Sequence, residues 1–319
     1  MPTLTKDILG RFQELVYLKS DLHFSERKQA FFEGRLMGRL EALGLSDYES
    51  YYSYLKQAPG ELDMLVQGLT TNKTSFFRNP AQFKALRDLV IPEIVEARNR
   101  EVISSWGSQA SPARPVGRHP AMSLRIWSSG CSTGEEAYSL AFTLLETLKF
   151  PRAWDVEVLA TDIGADVLDR ARMGIYDEES VREMDPGLAE KYMDKTGDGF
   201  AIKPAVKGLV KFYESNLKGL TSARPCRLSL KSADGVESAL DVEGRFDVIF
   251  CRNVMIYFDR EGQQRLVSAL FDCLRFGGYL FTGDSEPLHL FKHGFVRADA
   301  EEALYYKKPV KGAYHARNL

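Results

Sequence analysis

Hydrophobic residues in the first part of the chain recur at helical spacing. Two series carry this pattern: Ile8, Phe12 and Leu15, then Leu36, Leu40 and Leu43. Residues three or four positions apart lie on one face of a helix, so each series predicts an amphipathic helix. Alternating, strand-like patterns are missing from this part of the sequence. Residues 1–80 are therefore expected to form a small all-helical domain.

The next segment is expected to be a helix followed by a linker. Residues from about Pro80 to Arg100 are rich in Leu, Ile, Val and Glu, which favours a helix. Residues 104–120 are polar and contain several Gly and Pro residues, a composition typical of a loop or linker. We assign residues 81–120 to this helix and linker.

Beyond residue 120, short apolar runs alternate with helical segments. Four of these runs are predicted strands: Leu124–Trp127, Val156–Thr161, Phe246–Cys251 and Tyr279–Thr282. Strands separated by helices predict an α/β fold with a doubly wound parallel sheet, whose ligand site lies at the carboxyl ends of the strands. This domain extends over 121–319. Residues 174–213 interrupt the alternation with several glycines and are expected to form a small inserted subdomain.

The composition is that of a globular protein and argues against several classes. Of the 319 residues, 44% are hydrophobic and 27% are charged, and the formal net charge is −2. A net charge near zero argues against a nucleic-acid partner and against an anionic membrane surface. The first residues lack a signal-peptide pattern, and no window approaches the roughly 20 apolar residues of a membrane span.

The four cysteines suggest neither a metal site nor a disulfide framework. The sequence has no C-x-x-C spacing that would group any of Cys131, Cys226, Cys251 and Cys273. We therefore expect no bound metal and a reduced, cytoplasmic location.

The segment GCSTG at residues 130–134 allows two interpretations. It matches G-x-S-x-G, the pattern that presents a nucleophilic serine, here Ser132, on a strand-to-helix turn. It also suits a loop whose glycines let the backbone approach a nucleotide-like cofactor. The position after the first strand of the sheet disfavours a hydrolase. So do the following Glu135 and Glu136, because they would place negative charge where an oxyanion must develop.

An acidic residue downstream supports the cofactor interpretation. Asp162 ends the second predicted strand, where a carboxylate can bind both hydroxyls of a ribose. This arrangement does not by itself distinguish NAD from S-adenosylmethionine, although the missing G-x-G-x-x-G pattern disfavours NAD. A tight strand–helix connection with an ordinary helix-starting aspartate remains the alternative.

Three longer blocks resemble the signature blocks of the chemotaxis receptor methyltransferases, the CheR family. They are TNKTSFFR at Thr71–Arg78, WSSGCSTGEE at Trp127–Glu136 and FCRNVMIYF at Phe250–Phe258. ATDI at Ala160–Ile163 and GDSE at Gly283–Glu286 stand at the expected places between and after them. The resemblance covers about Leu4 to Lys307, nearly the whole chain.

The resemblance implies a fold and an activity. The fold would be a Rossmann-like class I methyltransferase domain with a small inserted β-subdomain, preceded by a small all-helical N-terminal domain. The activity would be transfer of a methyl group from S-adenosylmethionine, which becomes S-adenosylhomocysteine, to glutamate side chains of chemoreceptors. The products would be glutamyl methyl esters that serve chemotactic adaptation.

The resemblance also implies roles for particular residues. Arg78 and Tyr257 would lie beside the methyl group and the acceptor carboxylate. Glu135, or the glutamate after it, would meet the methionine end, Asp162 the ribose, and Asn216–Leu217 the adenine. The full set expected to bind the cofactor is Asn72, Thr74, Arg78, Gly130, Glu135, Asp162, Asn216, Leu217, Arg252 and Asn253.

Such a transfer needs no general base. A glutamate carboxylate has an ordinary pKa of about 4.3 and is already a nucleophile at pH 7. The protein's task is then alignment and removal of water, with Arg78 holding the carboxylate and Tyr257 positioning one oxygen. Each residue also has a structural alternative, because an arginine can extend from a buried helix end and a tyrosine can belong to the core.

A basic helix face suggests a docking surface for the receptor. Lys28, Phe32, Arg35 and Arg39 are spaced so that they share one face of a predicted helix. The family's N-terminal domain is thought to dock on the receptor's cytoplasmic helical bundle. The alternative is a solvated face that neighbouring glutamates partly neutralise.

Other partners and functions remain open. The inserted subdomain grips a receptor's C-terminal tail peptide in some members, and contact with membranes is expected only through receptors. A nucleic-acid methyltransferase should show a basic stripe beside the catalytic strand ends, which this sequence does not supply. A non-catalytic S-adenosylmethionine-binding signalling module would keep Asp162 and the glycine loop without needing Arg78 or Tyr257.

Overall fold

The computed structural model describes residues 4–24, 28–70, 73–107, 122–197, 199–222, 226–300 and 303–311. The helices are α1 (Lys6–Ser20), α2 (Gln29–Ala42), α3 (Tyr48–Gln57), α4 (Pro59–Gly68), α5 (Pro80–Ala85), α6 (Ile91–Gly107), α7 (Glu135–Thr147), α8 (Ala165–Met173), α9 (Glu178–Val181), α10 (Pro186–Tyr192), α11 (Pro204–Lys207), α12 (Lys218–Ser222) and α13 (Arg260–Cys273). The strands are β1 (Ser123–Ser129), β2 (Asp155–Asp162), β3 (Ile175–Tyr176), β4 (Met193–Thr196), β5 (Gly199–Ile202), β6 (Val210–Glu214), β7 (Arg227–Lys231), β8 (Glu237–Asp241), β9 (Phe246–Cys251), β10 (Leu274–Thr282), β11 (Val296–Ala300) and β12 (Ala303–Lys307).

Helices α1 to α4 pack around a core of their own. α1 begins after Thr5, whose Oγ1 accepts a hydrogen bond from Ile8 N at 3.4 Å. α3 begins after Asp47, whose carboxylate accepts one from Ser50 N at 2.8 Å, so both helix starts have side-chain caps. The fully buried residues of this core include Phe12, Val16, Phe32, Leu36, Tyr51 and Leu65. The predicted all-helical N-terminal domain is confirmed.

A buried carboxylate ties α2 to α3 and α4. Glu61 accepts hydrogen bonds from Arg39 Nε at 2.8 Å and Arg39 Nη2 at 2.6 Å, and a third from Tyr51 Oη at 2.9 Å. This two-pronged geometry is the strong form of an arginine–carboxylate pair. The predicted basic face is therefore divided, because Phe32 lies in the core and Arg39 pairs inside the domain, while Arg35 is exposed.

The helix expected from about Pro80 to Arg100 is longer and less regular than the sequence suggests. α5 passes through a π-helical turn, Leu86–Val90, into α6, which continues to Gly107. From residue 108 onward the predicted linker lies outside the described residues.

The large sheet of the described residues contains nine strands in the order β11-β12-β10-β9-β1-β2-β6-β7-β8. The pairs from β10 to β6 are parallel, and the two ends of the sheet are antiparallel. All six residues of β9 are buried, as expected of a central strand covered by helices on both faces. The predicted doubly wound α/β fold is confirmed. After β1 the chain continues to β2 and β6 on one side and later returns to β9 on the other, so a crevice opens where the direction reverses.

A second, small sheet lies between α8 and α11. Its strands β3, β5 and β4 are antiparallel and span residues 175–202. β6 lies inside the segment 174–213 that was expected to be the insert, but it pairs with β2 in the large sheet.

The helical domain meets the sheet domain along the segment that follows α1. Leu22 forms an isolated antiparallel bridge with Phe258, and His23 N donates to Tyr257 O at 2.7 Å. Tyr257 packs against the hydrophobic cores of both domains. The helical domain therefore lies against the loop that follows β9.

Two further observations on the described residues concern membrane-spanning helices and the cysteine thiols. Among the helices in these ranges, none has the length and apolar composition needed to cross a membrane. The four cysteines are buried free thiols, and burial raises the pKa of Cys131 and Cys251.

Replacing Arg39 tests its structural role. Arg39→Met would leave the buried Glu61 carboxylate without its cation, so we expect the free energy of unfolding to fall. The expected loss is about 2 kcal/mol, below the figure for a fully buried pair because 28% of the Arg39 side chain is exposed. Urea denaturation followed by circular dichroism measures it. Arg35→Met, one turn earlier on the same helix, should change the value by less than about 0.5 kcal/mol. Equal losses in the two variants would contradict the structural role.

Candidate active site

A continuous cleft lies at the carboxyl ends of β1, β2 and β9. One half, called the Asp162 half, is lined by Asp162, Ile163, Asn216, Leu217, Ser20 and Leu22, among others. The other, called the Arg78 half, is lined by residues that include Thr74, Arg78, Glu136 and Arg252. The two halves are connected, because both are lined by Gly130, Ser132, Asn253 and Tyr257.

The loop from β1 to α7 forms the floor of the cleft. Gly130 has a φ of 79°, and a Cβ at this position would lie 2.4 Å from Val254 Cγ2. Gly134 has a φ of 95°, and its Cβ would lie 2.8 Å from that of Ala171. Both positions therefore require glycine, for backbone conformation and for space. This is the close backbone approach that the glycine pattern predicts.

Asp162 is held at the edge of this floor. Its Oδ2 accepts a hydrogen bond from Ser132 N at 2.8 Å and its Oδ1 accepts one from Gly164 N at 3.0 Å. Burial raises the pKa of Asp162, while these backbone donors oppose the shift. A carboxylate has about four acceptor positions, so Asp162 can also accept hydrogen bonds from two hydroxyl groups in the cleft.

The surroundings of Ser132 do not resemble a catalytic triad. No histidine is found among the described residues that line either half of the cleft. A nucleophilic serine needs an adjacent base, and histidine is the usual one. Ser132 instead donates its backbone N–H to Asp162. Its small side chain suits the tight loop.

The two adjacent glutamates have different surroundings. Glu135 is buried behind the loop, where its carboxylate accepts a hydrogen bond from Thr133 Oγ1 at 2.6 Å, and it does not line the cleft. Glu136 lines the cleft and accepts a hydrogen bond from Ser128 Oγ at 2.6 Å. Burial raises the pKa of both side chains. The structure thus places the second glutamate, not Glu135, where a ligand is accessible.

Arg252 is a buried cation beside Glu136. Its Nε lies 3.3 Å from Glu136 Oε2, and its Nη2 donates to Asn79 Oδ1 at 3.2 Å. Its Nη1 is buried and has no hydrogen-bond partner among the described residues. A buried guanidinium nitrogen left in this state is a site for an acceptor supplied by a ligand.

Arg78 is presented by an unusual turn. The residues on both sides of it, Phe77 (φ 51°) and Asn79 (φ 61°), have left-handed backbone conformations. This conformation is costly for phenylalanine, and such strain clusters at functional sites. Phe77 is held by a hydrogen bond from its N to Ser139 Oγ at 3.0 Å and by edge-on packing against Phe83. Arg78 itself is exposed.

Tyr257 lies in the 3₁₀ turn after β9 and lines the same half of the cleft as Arg78. Lys28 lies over its ring, with Nζ 4.9 Å from the ring centroid, and donates to Ile256 O at 3.2 Å. Burial lowers the pKa of Lys28. Lys28, expected on an open docking face, therefore contacts the rim of the cleft.

Glu286 holds the loop that follows β9, and no role was predicted for it from the sequence. Its Oε2 accepts hydrogen bonds from Asn253 N at 2.6 Å and Gly283 N at 3.0 Å, and its Oε1 accepts one from Ile256 N at 3.1 Å. Burial raises the pKa of Glu286. The GDSE block that contains it was a usable signal, because an acidic side chain in a loop is suited to bind backbone amides.

Of the residues predicted to bind the cofactor, the structure brings together all that it describes except Glu135. Asn72 lies outside the described residues. The two halves of the cleft also differ in the same way as the two ends of S-adenosylmethionine. Asp162 beside apolar Ile163 and Leu217 suits a ribose and an adenine ring, whereas Glu136 and Arg252 Nη1 suit an ammonium and a carboxylate. The residues present therefore fit this cofactor.

Doubly wound sheets bind nucleotide-like cofactors at such a reversal point, and the residues of this cleft suit the S-adenosylmethionine of a methyltransferase. The chain matches two family models, "CheR methyltransferase, all-alpha domain" over residues 8–70 and "CheR methyltransferase, SAM binding domain" over residues 108–303. It belongs to the CheR methyltransferase family, and its cofactor is S-adenosylmethionine.

Three curated relatives match this chain over most of their length. The chain is 34% identical to a chemotaxis protein methyltransferase of Escherichia coli, with 92% of this chain and 89% of the relative covered. It is 32% identical to one of Borreliella burgdorferi, with 89% of each covered. It is 31% identical to chemotaxis protein methyltransferase 2 of Vibrio cholerae, with 95% and 93% covered.

Replacing Glu286 tests its role in holding the loop after β9. Glu286→Gln puts an NH₂ group in place of one accepting oxygen, so at least one buried backbone N–H loses its acceptor. We expect the free energy of unfolding to fall by about 1–3 kcal/mol and S-adenosylhomocysteine to bind more weakly. Urea denaturation and calorimetric titration measure the two effects. Glu261→Gln, with a side chain 89% exposed, is the matched control. Normal stability and affinity in Glu286→Gln would rule out this role.

Proposed function

We propose that this protein transfers the methyl group of S-adenosylmethionine to glutamate side chains of chemoreceptors, forming glutamyl methyl esters. The observation that carries the proposal is that Arg78 and Tyr257 line the same half of a cleft whose described lining contains no histidine. Such a site suits an acceptor that is already a nucleophile, as a glutamate carboxylate is at neutral pH. The relatives, which are chemotaxis protein methyltransferases, support the same substrate class.

In this proposal the cofactor lies along the cleft. Asp162 accepts hydrogen bonds from the ribose hydroxyls, and Asn216–Leu217 lies beside the adenine. Glu136 takes the role first expected of Glu135 and meets the amino group, while Arg252 Nη1 meets the carboxylate. The remaining contacts come from Asn72, Thr74, Gly130 and Asn253.

The chain's own residues then orient the acceptor. When bound, the cofactor supplies a methyl group activated by its sulfonium. Arg78 attracts the incoming glutamate carboxylate, and the Tyr257 hydroxyl donates to one of its oxygens and leaves the other to attack. Neither residue has to accept a proton, because the glutamate carboxylate is already ionised at neutral pH. Because Arg78 is exposed, it holds the carboxylate weakly and avoids excessive stabilisation of the ground state.

The receptor would dock against basic side chains at the rim of the Arg78 half. Lys73 and Arg78 line this half, and Lys28 contacts its rim. We propose that Lys28 and the exposed Arg35 face the acidic helical bundle of the receptor, since opposite charges steer association. Arg39 has no part in this docking, because it is paired inside the domain.

The small sheet β3-β5-β4 is the proposed site for a receptor's tail peptide. The protein would act in the cytoplasm and reach membranes only through receptors.

The proposal predicts an alkali-labile methyl label on receptors. Membranes rich in the host's chemoreceptors would be incubated with the protein and methyl-labelled S-adenosylmethionine. We expect label on a receptor-sized band that mild alkali releases as methanol, because carboxyl methyl esters hydrolyse under these conditions. Asp162→Ala should lose the reaction, since it removes the ribose contact.

Matched variants separate this activity from the alternatives. Ser132→Ala should keep most of the transfer, whereas a loss typical of a catalytic serine would contradict the cofactor assignment. Arg78→Ala and Tyr257→Phe should bind S-adenosylhomocysteine yet transfer more slowly. If both variants support normal signalling and wild type transfers nothing, the protein is an S-adenosylmethionine-binding signalling module. Alkali-stable label would overturn glutamate as the acceptor.

Cofactor binding should weaken as the pH falls, starting above the range of an ordinary carboxyl group. Burial raises the pKa of Asp162 and Glu136, and both are proposed to bind the cofactor as carboxylates. The affinity for the cofactor is therefore highest above the raised pKa values, and it falls as the pH decreases through them. Calorimetric titration of S-adenosylhomocysteine between about pH 8 and pH 5 measures this. Asp162→Asn should bind weakly with a shallower dependence. Constant affinity in the wild type down to the pH range in which an ordinary carboxyl group titrates would contradict the assignment.

A further inference from the structure

The turn after α1 is a wall of the cofactor cleft, although it belongs to the helical domain. Ser20 and Leu22 line the Asp162 half, and Asp21 stands between them. Asp21 ends α1 in the left-handed conformation, with φ 57° and ψ 11°, and its N–H donates to Tyr17 O at 2.8 Å. Aspartate and asparagine tolerate this conformation better than most residues. The course of this wall therefore depends on Asp21.

The Asp21 side chain reaches across to the sheet domain. It is only 10% exposed and faces two cations, with Oδ1 3.4 Å from Lys218 Nζ and Oδ2 3.5 Å from Arg265 Nη2. Lys218 is the first residue of α12 and directly follows Asn216–Leu217, which line the same half of the cleft. One carboxylate of the helical domain thus holds the loop that forms the facing wall.

Hydrogen bonds to the end of α1 reinforce this connection. Asn216 Nδ2 donates to Lys19 O at 3.1 Å, while Asn216 Oδ1 accepts from Lys218 N at 3.0 Å. Lys218 Nζ also donates to Leu18 O. These are carbonyls of the last helical turn, which lack partners within the helix and lie at the negative end of its dipole. The loop at Asn216 is therefore built onto the helical domain as well as onto β6.

We propose that Asp21 is a positioning residue of the cofactor site, through which docking of the helical domain and binding of the cofactor are linked. Asp21 touches no reacting atom. It keeps the two walls of the Asp162 half at the separation that the adenosine part of the cofactor requires. A ligand that binds the docked arrangement stabilises docking by the same free energy that docking adds to its binding. The inference rests on the cofactor placement proposed above.

Asp21→Asn is the direct test, because asparagine keeps the left-handed turn and removes the charge. We expect the Kd of S-adenosylhomocysteine, measured by calorimetric titration without any receptor, to rise about 5- to 20-fold. In methyl transfer, the KM for S-adenosylmethionine should rise similarly, while kcat stays within about twofold. Lys218→Met should weaken binding in the same direction. The double variant should lose less than the product of the two single losses, because both remove the same contact.

Control variants separate this inference from the cofactor placement. Asp7→Asn makes the same charge change on α1 at a side chain 85% exposed, and should leave the Kd unchanged. If Asp162→Ala binds S-adenosylhomocysteine normally, the cofactor placement has failed. If Asp162→Ala binds weakly while folded Asp21→Asn binds like wild type, the linkage alone is overturned. Thermal unfolding checks that each variant folds. Should Asp21→Asn not fold, Lys218→Met carries the test, and normal affinity in it overturns the linkage.

Discussion

The cleft depends on a close approach between two loops that admits no side chain at one position. Gly130, after β1, passes so near Val254, after β9, that a Cβ would lie 2.4 Å from a valine methyl carbon. The two loops flank the point where the sheet reverses direction, and their contact closes the floor of the crevice that this reversal opens. The turn also directs the N–H of Ser132 at Asp162. A methyl group at Gly130 would therefore displace the floor and the carboxylate together.

Around this floor, the protein buries charge and compensates each charged group with donors or a counter-ion. Glu286 is bonded to three backbone amides, Asp162 to two, and Glu136 faces Arg252. Burying an uncompensated charge would cost several kcal/mol, so these partners are a condition for folding as well as for binding. The proposed reaction requires no proton transfer, so these carboxylates and arginines can be held rigidly and need not exchange protons.

Much of the fold could be predicted because its signals are local. Buried strands such as β9, which is apolar except for Asp247, appear as nearly continuous apolar runs, and the helical domain appears as periodic ones. The hairpin β7–β8 was not predicted from the sequence. β8 is largely exposed and gives no apolar pattern, whereas the alternation of Leu228 and Leu230 in β7 was a signal that could have been used. At the site, the choice between Glu135 and Glu136 could not be made from sequence, because neighbours at a helix start point about 100° apart and either can face the ligand. The pairing of Arg39 with Glu61, and of Asp21 with Lys218, joins residues far apart in the chain and follows only from the packed structure.

Tyr257 shows how the two domains constrain one another over evolutionary time. It packs against both hydrophobic cores while its position borders both halves of the cleft. A residue with neighbours in two domains can be replaced only when both sets of neighbours accept the change. Among relatives that are about one-third identical, we therefore expect residues along this seam to change together more often than residues on the outer surface. Exchanging the helical domain between two such homologues would produce a chimera whose seam residues have to be transplanted as a group from the same parent.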